Sequence, residues 1–156
     1  RDELDEDSIV MDADVLFPAG LLRRLLESPD GSALLIDRGF TDTGEEVKVY
    51  ARAGRVLAIG KKVPEPPPHD TVGEGIGFFK CAADHGPVLR ECMAEVLRDQ
   101  SRYREYEDAI DLLLRRAHVG WVDVGGLPWT EIDFAEDLRR AEEEVLPLIQ
   151  RLGDDV

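Results

Sequence analysis

Two aspartates stand where their carboxylates can do chemistry. Asp14 follows the short apolar run Ser8-Ile9-Val10-Met11, which reads as a buried strand opening through Asp12-Ala13 into a polar loop. That is the carboxyl edge of a strand, where ligands settle in open α/β sheets. Asp133 ends the short strand-like segment Thr130-Glu131-Ile132 and immediately precedes a helix. Carboxylates delivered from two strand ends can share one Mg²⁺, an ion that keeps several waters and is completed by substrate phosphates. Such an arrangement serves phosphoryl or nucleotidyl transfer. Each residue also has a purely structural use. Asp133-Phe134-Ala135-Glu136 has the form of a capping box with Asp133 as the N-cap, worth ~1 kcal/mol, and Asp14 suits a turn.

No other constellation competes with this pair. The chain holds no GxxxxGK(S/T) phosphate loop, HExxH helix, GxSxG elbow or EF-hand loop. His69, His85 and His118 lie far apart and match no ligand spacing, so they read as loop or surface residues. Cys81 and Cys92 form no CxxC pair, which suggests neither a disulfide framework nor a zinc site and makes a reducing cytoplasm the expected setting.

The elements that must position the aspartates follow from periodicity. Pro18 suits a first helical turn, and Leu21, Leu22, Leu25 and Leu26 share one face of a helix stopped by Ser28-Pro29-Asp30-Gly31. A second apolar strand spans 32–37, so the opening is strand, helix, strand, the minimal unit of a parallel α/β sheet. Residues 47–50 and 55–59 flank a short turn and predict a hairpin. The proline-rich stretch 63–68 is a stiff extended loop. Gly73-Glu74-Gly75-Ile76-Gly77 opens a glycine-punctuated strand, whose missing side chains mark close approach by a ligand or another backbone. Two helices follow, carrying Leu89, Cys92 and Val96 on one and Tyr106, Ile110, Leu113 and Leu114 on the other. Then come a strand over 119–124 and a last amphipathic helix from Phe134 to Leu152, ended or kinked at Pro147.

Composition excludes several function classes. The 156 residues carry 34 acidic and 19 basic side chains, a net charge of −15. No basic patch is available to neutralise phosphates, so a nucleic-acid binder is excluded. At 43% hydrophobic residues the chain is not disordered by composition, and no apolar run approaches the ~18–20 residues of a membrane span. Residues 1–7 read as an acidic, disordered leader and 153–156 as a tail, around one domain over 8–152. The start at Arg1 followed by acids suggests a trimmed or truncated product.

The quoted segments also resemble a known family. Asp12-Ala13-Asp14-Val15-Leu16-Phe17 is similar to the "NGDVLF" segment of nucleotidyltransferases that act on sugar phosphates and phosphocholine. Val122-Asp123-Val124-Gly125-Gly126-Leu127-Pro128-Trp129-Thr130-Glu131-Ile132-Asp133 resembles their "VDVxGLPWxEID" ending. Ile59-Gly60-Lys61, Gly73-Glu74-Gly75 and Tyr106-Glu107-Asp108-Ala109 fall between them in the family's order.

The resemblance implies a three-layer, Rossmann-like, GT-A-like α/β fold with a mixed sheet, present as a partial domain. It implies attack by an acceptor phosphate oxygen on the α-phosphorus of a nucleoside triphosphate, with release of pyrophosphate. Asp14 and Asp133 become the Mg²⁺ ligands, and Lys61 and Lys48 lie near the acceptor phosphate. Glu74 and Gly75 belong to the acceptor strand. Glu107 and Asp108 face a cationic head group, with Tyr106, Trp121 or Trp129 as its aromatic wall. The tail favours CTP with phosphocholine, a phosphonate or a sugar 1-phosphate. The family's amino-terminal "LAAGxGxR" nucleotide loop has no counterpart in the sequence, so the expectation is a carboxyl-terminal, acceptor-binding part that does not turn over alone. A nucleotide-sugar glycosyltransferase of related topology and a degenerate, non-catalytic binding module stay open. The oligomeric state is not legible.

Overall fold

A six-stranded mixed sheet carries the molecule, with helices on both faces, in a computed structural model that describes residues 3–98 and 105–153. The sheet strands are β1 (Ser8–Met11), β3 (Ala33–Asp37), β4 (Lys48–Arg52), β5 (Arg55–Gly60), β6 (Thr71–Cys81) and β7 (Gly120–Asp123). A two-stranded ribbon pairs β2 (Val15–Leu16) with β8 (Thr130–Glu131). The helices are α1 (Ala19–Glu27), α2 (Gly86–Arg98), α3 (Tyr106–Leu114), α4 (Ala135–Arg140) and α5 (Leu146–Leu152).

The central strand is β6, and its length explains the topology. Along one edge it pairs antiparallel with β4 over residues 71–74 and with β1 over 78–81, and along the other with β3. β3 in turn pairs parallel with β7. The expected strand–helix–strand unit is therefore present in direction but not in adjacency: β1 and β3 run the same way with antiparallel β6 between them. Local periodicity carries no information about a partner strand so far along the chain.

β3 is apolar throughout because both of its faces are buried. Leu34 and Ile36 point into a core shared with Leu89, Cys92 and Val96 of α2 and Ile110, Leu113 and Leu114 of α3. Ala33 and Leu35 point the other way, onto Leu21 and Leu25 of α1 and onto Ile76, Phe78, Val124 and Leu127. Period-two alternation thus builds the three layers. Cys81 and Cys92 are both buried free thiols.

Several expectations are adjusted. Pro18 sits at the N-cap of α1 in an extended conformation, one residue before the first turn. The β4–β5 turn is Ala53-Gly54, both with positive φ (50° and 80°), which suits a tight hairpin. The last helix is continuous in path but passes through a π-helical segment, Ala141–Val145, with Pro147 in the first turn beyond it. Proline has no N–H to donate and its ring crowds the carbonyl four residues back, so the ladder is re-registered there. Residues 3–7 of the acidic leader are ordered. Glu3–Asp5 is a turn of 3₁₀ helix, Leu4 packs on the α2–α3 core, Asp5 pairs with Arg90 at 2.6 Å, and Asp7 accepts a hydrogen bond from the Ala83 N–H at 2.8 Å. Residues 1–2 of that leader and 154–156 of the tail lie outside the described residues. Among the described residues no helix is long and apolar enough to cross a membrane.

Candidate active site

The carboxyl edge of β1 opens into a cleft of about 1040 Å³. Its walls come from the loop after β1 (Asp12, Asp14), the approach to β4 (Thr43, Glu45, Glu46, Val47) and the end of β5 (Lys61). Glu74 and Gly75 of β6, the first turn of α3 with the residue before it (Glu105, Tyr106, Glu107), and the segment from β8 into α4 (Glu131, Asp133, Phe134, Asp137) complete it.

The β2–β8 ribbon is what brings Asp14 and Asp133 together. Val15 pairs with Glu131 and Leu16 with Thr130, and the Ile132 N–H donates to the Asp14 carbonyl at 2.9 Å, extending the ladder by one step. Two residues more than a hundred positions apart thereby leave the same end of one ribbon. The capping box reads one residue too early in sequence. The N-cap of α4 is Phe134, whose N–H donates to the Asp137 carboxylate at 3.0 Å. Asp133 is consequently relieved of capping. Neither the Asp14 nor the Asp133 carboxylate makes a hydrogen bond or ion pair with the described residues, and both face the cleft.

Charge in the cleft is one-sided. Ten carboxylates line it, and Lys61 is the one cation among the described lining residues, paired with Glu105 at 3.2 Å. Burial, followed by the charges of Glu131, Glu46 and Asp37, pushes Glu74 up to about 7. Burial also raises Glu131, with Asp133, Asp14 and Asp12 adding to it. Burial raises Glu107 and Asp12 as well, the Tyr106 hydroxyl opposing it at Asp12. A polyphosphate entering such a field is repelled unless a cation comes with it.

Hard carboxylate oxygens, with Asp14 and Asp133 among those that have no hydrogen-bond or ion-pair partner among the described residues, suit a hard divalent ion. Among the described residues no three ligating side chains close on one point. Mg²⁺, which keeps several waters and is ordinarily bound through one or two carboxylates plus substrate phosphates, would require no such cluster. The donor set fits the ion.

The remaining predicted residues divide. Lys61, Glu74, Gly75 and Glu107 share the cleft with Asp14 and Asp133. Gly75 has its missing side chain's space occupied by Val49, 3.3 Å from where a Cβ would lie, so this glycine admits neighbouring protein. Lys48 turns away to Asp42 at 2.7 Å. Asp108 accepts from the Glu105 N–H at 3.3 Å and so helps cap α3, facing a neighbouring recess. Trp129 donates from its indole N–H to Asp37 at 2.9 Å in an adjoining hollow that Glu46, Glu74 and Glu131 also line. Trp121 packs against the α2–α3 core. The histidines bond to Pro67, Ser32 and Asp30, outside the cleft.

Asp12, Glu46 and Glu131 were not singled out by sequence. A signal existed for two of them: Asp12 and Asp14, like Glu131 and Asp133, stand two apart, the spacing that puts both side chains on one side of extended chain.

No family model matches the chain. It is 30% identical over 145 residues to the Bifunctional IPC transferase and DIPP synthase of Rubrobacter xylanophilus, an alignment covering 92% of this chain and 31% of the relative. Among solved structures it resembles the inositol-1-phosphate CTP transferase from T. maritima, with a TM-score of 0.66 and 18% identity over 97% of this chain and 58% of that one. It also resembles the CTP:phosphocholine cytidylyltransferase from Streptococcus pneumoniae, with a TM-score of 0.56 and 16% identity over 87% of this chain and 56% of that one. The chain thus spans about a third of the curated relative's length and somewhat over half of the solved chains.

Proposed function

We propose that the chain belongs with the cytidylyltransferase-like nucleotidyltransferases it resembles, and that it forms the acceptor-binding, metal-holding part of an enzyme transferring a cytidylyl group from CTP to a phosphorylated small molecule. The observation that carries this reading is the pair of unengaged carboxylates, Asp14 and Asp133, at one end of the β2–β8 ribbon in an anionic cleft. Those two side chains would hold Mg²⁺, which when bound neutralises charge on the triphosphate as a Lewis acid.

The chain's own residues do the rest by placement. Lys61 exchanges its partner Glu105 for an acceptor phosphate oxygen. Glu74 on β6 and Glu107 on α3 face the acceptor's non-phosphate end, and Phe134 supplies an apolar wall. The surplus of carboxylates repels a second anion and admits neutral or cationic head groups, which fits acceptors such as inositol 1-phosphate or phosphocholine. Among the described lining residues there is neither Cys nor His. Direct in-line displacement needs no protein nucleophile, since orientation and electrostatics supply the rate.

The test is pyrophosphate release by the full-length protein across CTP, UTP, dTTP and GTP with inositol 1-phosphate, phosphocholine, 2-aminoethylphosphonate and hexose 1-phosphates. CTP with a phosphorylated alcohol is expected to react, and silence from every pair refutes the enzyme reading. Asp14→Asn and Asp133→Asn should each lower the rate at least about a hundredfold. A near-normal rate in either removes that residue from the metal site.

A further inference from the structure

The loop that carries Asp14 is clasped from two sides, at Asp12. Beyond the last β1 residue, the Asp12 N–H donates to the Gly77 carbonyl at 2.9 Å, adding a rung to the β1–β6 ladder. Gly77 has φ +78°, and a Cβ built there would lie 2.2 Å from an Asp12 carboxylate oxygen, so the Asp12 side chain occupies the space that only glycine leaves open. From the opposite wall the Tyr106 hydroxyl donates to the same carboxylate at 3.2 Å. Glu107 lies close to that hydroxyl as well. A phenol has one proton to give, and the geometry gives it to Asp12. Tyr106 is in the first turn of α3, the residue after Glu105, which holds Lys61 at 3.2 Å.

We propose that Tyr106 is a positioning residue: through Asp12 and the gap at Gly77 it fixes the 12–14 loop so that the Asp14 carboxylate stays aimed at the metal position. Asp12 is then held as a hydrogen-bond acceptor and is not itself a ligand. The proposal rests on the metal reading of Asp14 given above. One turn of α3 thereby ties the metal loop to Lys61 on the acceptor side of the cleft.

The experiment measures Mn²⁺ binding calorimetrically and Mg²⁺ half-saturation in turnover, using the full-length protein. Tyr106→Phe keeps the ring and removes the hydroxyl. It should weaken both about tenfold, as expected for losing one hydrogen bond to a charged group, while KM for the acceptor stays near the parent value and the melting temperature falls by only a few degrees. Asp12→Asn retains an acceptor oxygen for the hydroxyl and should lose far less metal affinity than Asp14→Asn. Unchanged metal affinity in Tyr106→Phe overturns the proposal. So does an Asp12→Asn variant as impaired as Asp14→Asn, because Asp12 would then be a ligand. If Asp14→Asn itself leaves Mn²⁺ binding intact, the metal reading fails first and the two failures are told apart.

Discussion

Replacing Glu74 by glutamine should stabilise the protein at alkaline pH and leave it unchanged near pH 4.5. Burial on β6 and the nearby carboxylates of Glu131, Glu46 and Asp37 push this carboxyl up to about 7 from an ordinary 4.5. An acid whose pKa is raised on folding binds its proton more tightly in the native state, so stability is fully present below 4.5 and is lost as pH rises through 7. At 1.36 kcal/mol per pKa unit the difference is about 3 kcal/mol, and about 1–3 kcal/mol once side-chain relaxation and solvent screening are allowed for. For a chain of this length that is a melting temperature higher by several degrees in the variant at pH 8. Urea unfolding of both proteins from pH 4.5 to 8.5, with chelator present, should give curves that coincide at the acid end and diverge steadily toward pH 7. Parallel curves would show that the Glu74 carboxyl is no harder to ionise in the fold than out of it, and the account of the cleft as a desolvated anionic field would fall with it.

Two stability predictions follow from the packing. Phe78→Ala removes a side chain 1% exposed that meets the Phe17 ring edge-to-face at 4.7 Å, and should cost about 3–5 kcal/mol by chemical denaturation. Ala53→Gly relieves a non-glycine residue held at φ 50° in the β4–β5 turn and should stabilise by ~1 kcal/mol, read as a raised urea midpoint with unchanged slope.

Much of this fold is legible in the sequence because its elements are locally encoded. The strand runs, the hairpin flanked by Val49 and Ile59, and the faces of α2 and α3 all follow from apolar spacing. What local pattern cannot carry is partnership. Nothing in Ser8-Ile9-Val10-Met11 says that its neighbour will be Phe78 to Cys81 and not the next strand along. At the site, Asp14 and Asp133 could be singled out because both sit at strand ends, and a ribbon of two short strands does join them. Lys48, Asp108 and Trp129 fall outside the main cleft for one shared reason: each has a nearer partner, Asp42, the Glu105 N–H and Asp37 respectively. A single-sequence reading places a charge on an element but does not reveal which neighbour takes it. The capping residue of α4 moved by one position for a related reason, since Asp137 reaches back to Phe134 and releases Asp133 into the cleft.

The placement of β6 also sets an order of events in folding. β1 waits for residues 78–81, and β3, although made early, has its partners at residues 74–80 and 120–123. Among the described residues only the β4–β5 hairpin is built from neighbours in sequence. Long loops must close before the other pairings bring any return, which slows assembly. During synthesis β1 and β3 lack their β6 partner until residues 71–81 are made, an interval in which apolar strands are open to aggregation or chaperone capture.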